Sequence, residues 1–237
     1  MKILAVDSSS LAASCAILED RRLVGEFYID AHLTHSQTLM PMIDALLKST
    51  QTTLEEIDLF AVSCGPGSFT GLRIGIACVK GLAYGTGKPC APVSTLEGLC
   101  RNLEGCEGTL CAVMDARRGQ VYTAACTDGS FDKPLLADCA ISLEELAEKL
   151  QNMPKPIHLV GDGAAMCYNK LVNQVDGLRL AREAVRMQHA YSVGLAALEL
   201  AQQNRLVSAA ELAPVYLRLA QAQRELAEKE AQKGESV

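Results

Sequence analysis

Residues 58–75 read DLFAVSCGPGSFTGLRIG, and this stretch decides the class of fold. Its first part, residues 58–63, is almost entirely apolar, which predicts a strand covered on both faces near the centre of a sheet. Glycines crowd residues 65–71, and an apolar run with helical character follows over residues 72–84. A buried strand, a glycine-rich loop and a helix in direct succession are typical of an α/β domain.

The elements on either side of this stretch repeat. An apolar strand ends at Asp7 and a second aspartate, Asp20, follows 13 residues later; Asp115 and Asp128 show the same spacing in the second half. Both halves then continue with alternating helices and strands. This repetition predicts an internal duplication, and therefore two α/β lobes with a cleft between them. We place the lobes and the charged tail at residues 1–106, 107–220 and 221–237.

The composition excludes several classes of protein. Of the 237 residues, 49% are apolar and 21% are charged, which is unlike a disordered chain, a collagen or a disulfide-rich miniprotein. The 28 acidic residues outnumber the 22 basic ones, and the net charge of −6 is shared by both halves. A protein that mainly binds nucleic acid usually has a surplus or a stripe of basic residues. We therefore expect that binding nucleic acid is not the main function of this chain.

The length of the apolar runs and the spacing of the cysteines indicate the cellular compartment. The apolar run at residues 3–6 is shorter than the core of a signal peptide, and no apolar run is long enough to span a bilayer. None of the ten cysteines forms a CxxC pair. We expect a cytoplasmic protein, without membrane contact, whose thiols are reduced and mostly buried.

The glycine loop, residues 65–71, has two interpretations. A loop between a strand and a helix points backbone N–H groups at whatever lies above it, which favours a phosphate. The loop lacks the Gly-Lys-Ser/Thr ending of a Walker motif and the final glycine of a dinucleotide fingerprint, however. It is either a vestigial phosphate loop or a tight turn with close backbone packing. The residues of the first interpretation are Asp7, Ser8, Gly65, Gly67, Ser68 and Gly71.

No other pattern indicates catalysis. His32 and His35 lie close together, but matched His, Asp or Glu ligands for a metal ion are missing nearby. The serine-hydrolase pattern Gly-x-Ser-x-Gly fails at Phe69. We therefore predict neither a metal site nor a nucleophile.

Several motifs in a fixed order carry a resemblance. They are VDSS at 6–9, HS at 35–36 with Leu39 and Pro41, GPGSFTGLRIG at 65–75, DARRGQVY at 115–122, GDGA at 161–164 and PVYLR at 214–218. In this set the chain resembles the bacterial TsaB family, also called YeaZ. The resemblance runs from the first strand to about residue 220 and excludes only the charged tail.

The resemblance implies a fold, a pathway and partners. The fold is α/β, two ribonuclease H-like lobes of the actin-like ATPase (ASKHA) fold. The pathway places threonylcarbamoyl on the adenosine next to the tRNA anticodon. TsaB members bind the catalytic paralogue TsaD, the ATPase TsaE joins them, and homodimers form through an overlapping surface. The complex uses ATP and Mg, TsaB members are regarded as non-catalytic, and tRNA is reached only through the complex.

The chemistry of residues 93–99 bears on the non-catalytic role. The paralogue TsaD holds its metal through His-x-x-x-His on a short helix, and the matching stretch here is VSTLEGL at 93–99. Thr95 and Leu99 occupy the two histidine positions. Leucine cannot ligate a metal ion and threonine is a poor ligand for a transition metal. The sequence therefore predicts that this chain lacks the paralogue's metal site.

The resemblance also implies an interface formed by two helices. We expect it to use two sets of residues, which are Leu39, Met42, Ile43 and Leu46 on the first helix, and Leu72, Arg73, Gly75, Ile76, Val79 and Lys80 on the second. On that basis Gly75→Leu or Ile76→Glu should abolish complex formation and leave the monomer folded. A kinase-like use of the cleft for ATP and a peptidase activity remain as alternative functions.

Overall fold

The computed structural model describes residues 1–127, 129 and 131–218. Two mixed five-stranded sheets and their helices make up this part of the chain. The strands are β1 (Lys2–Asp7), β2 (Ala13–Glu19), β3 (Arg22–Ile29), β4 (Leu59–Gly65), β5 (Cys90–Ser94), β6 (Thr109–Asp115), β7 (Gln120–Cys126), β8 (Leu136–Ser142), β9 (Ile157–Val160) and β10 (Leu178–Leu180). The helices are α1 (His35–Thr50), α2 (Phe69–Thr86), α3 (Thr95–Arg101), α4 (Leu143–Gln151), α5 (Ala164–Leu171), α6 (Glu183–Arg186) and α7 (Ala190–Gln202).

The two sheets have the same topology. The first has the order β3-β2-β1-β4-β5 and the second has β8-β7-β6-β9-β10 when it is read from the equivalent edge. In each, three antiparallel strands lead into two parallel ones. The duplication predicted from the repeated element order is therefore confirmed. Asp128, one of the aspartates that suggested it, lies outside the described residues, as does the charged tail.

The helix after the glycine loop begins earlier than its hydrophobic pattern predicts. The pattern suggests a start at residue 72, whereas α2 begins at Phe69 because the Ser68 hydroxyl accepts a hydrogen bond from the Gly71 N–H at 3.3 Å. A serine in this position satisfies one of the free N–H groups of the first turn. The helix ends at Gly87, whose positive φ of 67° suits glycine.

Helix α7 returns to the first sheet. It follows the second sheet along the chain, yet Ala190, Val193 and Ala197 pack against Ile3 and Leu18 in one buried cluster. Helices α1 and α2 cover the opposite face of this sheet. The last strand of the first sheet ends at Ser94 and the first strand of the second begins at Thr109, while the core of the first lobe also includes residues beyond 190. The lobe boundary at residue 106 stays a prediction.

A buried ion triad joins α7 to α3. The Arg101 guanidinium, 3% exposed as a residue, contacts the Glu97 carboxylate at 2.9 Å and the Glu199 carboxylate at 2.6 Å. Burial raises the pKa of Glu97, and Arg101 opposes that rise. Removing Arg101 would leave a buried carboxylate uncompensated, so the packing of α3 on α7 depends on this side chain.

Among the described residues, no helix has the length and apolarity needed to cross a bilayer.

His189 connects the segment before α7 to β3. Its Nδ1 lies 3.2 Å from a Glu26 carboxylate oxygen and its Nε2 lies 3.1 Å from the Ala184 carbonyl oxygen. Both partners accept, so both ring nitrogens must donate, which requires the imidazolium form. The hydrogen bond to Glu26 accordingly raises the pKa of His189, against the opposing effect of burial.

We predict a pH-dependent contribution of His189 to stability. Because its folded-state pKa is raised, the stabilisation is fully present below the unfolded value of about 6.5 and is lost as the pH rises through the folded value. The difference in unfolding free energy between wild type and His189→Gln should be largest near pH 6 and shrink toward pH 9. Urea unfolding across this range measures it, and a difference that does not vary with pH would contradict the assignment.

Candidate functional site

Asp7 lies at the carboxyl end of β1, beside the parallel strand β4. One of its carboxylate oxygens accepts from the backbone N–H and the hydroxyl of Ser9, both at 2.8 Å, and the other accepts from the Ser63 hydroxyl. Asp7 is 1% exposed, and this burial raises its pKa in spite of the three hydrogen bonds. The carboxylate is therefore occupied internally, where it ties β1 to β4.

The glycine loop packs directly on the turn after β1. The Ser68 N–H donates to the Ser9 carbonyl at 2.7 Å, and the Ser8 hydroxyl donates to the Gly71 carbonyl at 2.9 Å. A Cβ at Gly67 or Gly71 would clash with backbone atoms of Ser9 or Ser8. Because these glycines have no side chains, the backbone of the turn after β1 can pack directly against the loop. This contact supports the close-packing interpretation of the loop. Its use as a vestigial phosphate loop stays a prediction.

The next residue of the turn, Ser10, bonds to residues far away along the chain, and no sequence pattern predicts these contacts. Its hydroxyl donates to the Gln188 side-chain oxygen at 2.6 Å, and its carbonyl lies 2.7 Å from His35 Nε2. Gln188 is 178 residues away along the chain and is 2% exposed. No local pattern marks such a residue, since its position depends on the return of the chain to the first sheet.

Most of the predicted interface residues lie in the core of the first lobe. Seven side chains are at most 5% exposed, namely Leu39, Met42, Ile43, Leu46, Leu72, Ile76 and Val79. Gly75 is also buried, against Ser8. Lys80 is half-buried and donates to the carbonyls of Ala210 and Leu212, and Arg73 alone is exposed. Of the predicted interface residues, Arg73 and Lys80 are thus the ones with surface left for a partner, and the interface itself stays a prediction.

The burial of Gly75 and Ile76 contradicts the expectation that Gly75→Leu or Ile76→Glu leaves the monomer folded. A Cβ at Gly75 would clash with the Ser8 hydroxyl, so a leucine would displace that side chain and break its hydrogen bond to the Gly71 carbonyl. A glutamate at position 76 would place a carboxylate in the apolar cluster under the first sheet. Burying an unpaired charge is strongly unfavourable, and both variants would destabilise the monomer itself.

The outer face of α2 is apolar, small and open. Ala77, Gly81, Gly85 and Tyr84 are exposed there, and Tyr84 keeps 85% of its surface. A Cβ at Gly81 or Gly85 would meet no atom within 4 Å. Small residues four apart leave a shallow groove along a helix, into which another helix can pack closely.

At the start of α2 an aromatic and cationic cluster adjoins this face. The Phe69 and Tyr216 rings stack with centroids 4.8 Å apart, and the Arg73 guanidinium lies 3.8 Å above the Phe69 ring. Arg73 Nε also donates to the Tyr216 hydroxyl at 3.1 Å. The segment 214–218, which contains Tyr216, thus packs over the first turn of α2.

The same segment, 214–218, reaches both sheets. The Val215 N–H donates to the Cys64 carbonyl at 2.7 Å, and the Arg218 guanidinium donates to the Ala116 carbonyl at 3.1 Å. Cys64 lies near the end of β4 in the first sheet, and Ala116 begins the turn between β6 and β7 in the second. The segment therefore bridges the ends of the two lobes.

The turn between β6 and β7 has an unfavourable backbone. Arg117, Arg118 and Gly119 all have positive φ, at 62°, 55° and 75°. For a residue other than glycine this conformation costs roughly 1–2 kcal/mol. Two adjacent arginines are therefore held where glycine or asparagine would fit better.

The two positions that the resemblance matches to histidines of the paralogue are buried. Thr95 and Leu99 are each 1% exposed at the start and middle of α3. Glu97, between them, pairs with Arg101. Within residues 1–127, 129 and 131–218, no three His, Cys, Asp or Glu side chains are grouped so that they could share a metal ion.

Comparisons with known proteins agree with one another. The family model described as TsaD, tRNA N6-adenosine threonylcarbamoyltransferase, matches residues 29–227. The TsaB protein of Bacillus subtilis (strain 168) is 29% identical over 225 residues, covering 94% of this chain and 96% of its own. The TsaB protein of Haemophilus influenzae is 30% identical over 233 residues, covering 92% and 94%. Both relatives carry the name tRNA threonylcarbamoyladenosine biosynthesis protein.

A solved structure matches the whole fold. YeaZ from Pseudomonas aeruginosa superposes with a TM-score of 0.71 at 26% identity, covering 91% of this chain and 99% of that one. Together with the repeated sheet order, this identifies the predicted architecture: two ribonuclease H-like lobes of the actin-like ATPase fold.

Two alanine substitutions in α2 should have opposite effects on stability. Gly71→Ala places a methyl against the Ser8 carbonyl and should lower the unfolding free energy by about 1–3 kcal/mol. Gly81→Ala meets open space on an exposed helix and should raise it by about 0.5–1 kcal/mol. Chemical denaturation of both variants measures the pair. Equal effects would show that the loop does not depend on contact with the turn after β1.

Proposed function

The chain belongs to the TsaB family of tRNA threonylcarbamoyladenosine biosynthesis proteins, and from this premise we propose that it is a non-catalytic subunit of the modifying complex. It binds TsaD and supports the transfer of the threonylcarbamoyl group to the adenosine next to the tRNA anticodon. TsaE joins the complex, in which ATP and Mg are used. The proposed location is the cytoplasm.

The observation that carries the non-catalytic role is the burial of Thr95 and Leu99. The resemblance to TsaD implies metal-binding histidines at these positions, and a catalytic histidine pair needs access to a ligand. Here both side chains are 1% exposed, and Leu99 packs in the buried cluster around α3. Neither their chemistry nor their position supports metal binding.

The proposed contact with TsaD uses the outer face of α2. Its inner face supplies the core of the first lobe, so Ala77, Gly81, Tyr84 and Gly85 remain for a partner. A helix of TsaD, or of a second copy of this chain, would pack on the groove of small residues. Because one face serves both, we propose that the homodimer and the TsaD complex exclude each other.

The two alternative functions have their own tests. A kinase-like enzyme would bind ATP in the cleft, which calorimetric titration of the isolated chain with ATP and Mg²⁺ would detect. A peptidase would cleave casein, with sensitivity to chelators if it used a metal. Asp7 is already bonded by Ser9 and Ser63, which favours neither activity.

We predict that tRNA modification depends on this chain. The assay contains TsaD and TsaE of the same organism, ATP, threonylcarbamoyl-adenylate and unmodified tRNA, with and without the chain. Modified adenosine should form efficiently only when the chain is present, and the chain alone should hydrolyse no ATP. Equal product without it would overturn the proposed function.

We also predict that Tyr84→Glu prevents complex formation. Tyr84 is exposed, so a glutamate should leave the monomer folded while it places a charge in the apolar contact with TsaD. Gln202→Glu, at the exposed last residue of α7, is the matched control that adds the same charge elsewhere. Co-elution with TsaD should be lost for the first variant and kept for the second. If both co-elute fully, TsaD binds another surface.

A further inference from the structure

A group of four arginines has no carboxylate partner among the described residues. Four arginines of the described residues form ion pairs, each with a glutamate, in the pairs Arg21–Glu104, Arg22–Glu19, Arg101–Glu199 and Arg186–Glu183. Seven other described arginines have no ion pair. Four of them, which we call the arginine strip, are connected through residues 214–218 or the turn beside them and are Arg73, Arg117, Arg118 and Arg218, whereas the other three are Arg179, Arg182 and Arg205. In that part of the chain none of them lies within ion-pair distance of an acidic group.

Contacts connect the members of the strip. Arg73 bonds to the Tyr216 hydroxyl, and Arg218 lies two residues further along the same segment. The Arg218 guanidinium in turn bonds to Ala116, the residue before Arg117. The strip therefore runs from the start of α2, along residues 214–218, to the turn between β6 and β7, and it crosses from one lobe to the other.

The turn between β6 and β7 carries two charged residues in a backbone conformation that is unfavourable for them. Arg117 and Arg118 are exposed, and both have a positive φ that glycine or asparagine would adopt more readily. No side-chain contact with a described residue accounts for them. Strained positions of this kind occur where a side chain serves a ligand.

Exposed aromatic rings lie beside the cations. Phe69 is 36% exposed and Tyr216 is 38% exposed, and they stack on each other under Arg73. Aromatic rings and guanidinium planes are the groups on which proteins stack unpaired bases, while guanidinium forks bind phosphates. Two acidic residues, Asp115 and Asp162, lie at the turn, so the cations of the strip outnumber the local carboxylates.

We infer that the arginine strip, with Phe69 and Tyr216, binds RNA directly. The ligand is a strand with phosphates and at least one unpaired base, as in a tRNA loop. The inference rests on the proposed function, since it gives this chain a contact of its own with the tRNA that the complex modifies. It fits a net charge of −6, because the strip is a local surface and most of the other charges are distributed over both lobes.

A polyanion suits this surface better than a single nucleotide. The strip extends across two lobes and ends on an exposed turn, so its cations are distributed along a path. Successive phosphates of one strand can meet cations arranged in this way. A free nucleotide carries its phosphates at one point and would leave the remote arginines without a partner.

The test compares tRNA binding by the complex with TsaD and TsaE across salt concentrations. Arg117→Asn/Arg118→Asn removes two cations, and asparagine tolerates the positive φ of the turn. Arg179→Asn/Arg182→Asn is the matched control, because it removes the same charge from exposed positions elsewhere. The turn variant should bind tRNA about tenfold more weakly, with a slope of log affinity against log salt reduced by about 1.4. The control should match wild type.

Kinetics and a second variant separate binding from folding. The turn variant should raise KM for tRNA, keep kcat, co-elute with TsaD and unfold at or above the wild-type temperature. Tyr216→Ala should weaken tRNA binding about tenfold with an unchanged salt slope, because it removes stacking and no charge. Affinity and slope equal to the control for the turn variant would overturn the inference. If the turn variant lost ATP binding and kept its affinity for tRNA, that result would overturn the inference as well.

Failure of the proposed function would be visible separately. If the wild-type complex modifies no tRNA, the proposed function is wrong. The inference is then decided by the isolated chain, as wild type and as turn variant, titrated with the same tRNA. A weaker affinity and a smaller slope for the variant support RNA binding, and identical curves refute it.

Discussion

The close approach of α2 to the turn after β1 is the contact on which the first lobe depends. The Ser8 hydroxyl bonds to the Gly71 carbonyl; a Cβ at Gly71 would clash with the Ser8 carbonyl, and one at Gly75 would displace the Ser8 hydroxyl. The helix can lie this near only because those positions lack side chains. Asp7 completes the arrangement, since its carboxylate holds the turn through Ser9 and binds the neighbouring strand through Ser63.

This packing places the glycine loop directly against the chain's own backbone. Backbone atoms of Ser8 and Ser9 lie where a Cβ at Gly71 or Gly67 would have to be. The inner face of α2 is likewise committed to the core, through Leu72, Ile76 and Val79. What the helix offers to other molecules is its outer groove and the aromatic cluster at its start.

Long-range returns of the chain complete both lobes. Helix α7 fills the second face of the first sheet, and Gln188, just before it, bonds to Ser10 in the turn after β1. Residues 214–218 then connect the end of β4 to the turn between β6 and β7. The relative position of the lobes, and the surface that crosses them, therefore depend on the last described part of the chain.

The sequence by itself determined the α/β class, the duplicated element order, the buried stripe of α1 and the lack of histidines at Thr95 and Leu99. Periodicity, repetition and residue chemistry are local properties, so they can be read along the chain. The sequence could not determine which face of α2 is buried, because the helix is apolar nearly all round and its period is uninformative. Only the tertiary structure decided that face, the partner of Ser10 and the course of the arginine strip. Each depends on contacts between residues far apart in sequence, which the topology of the two sheets brings together.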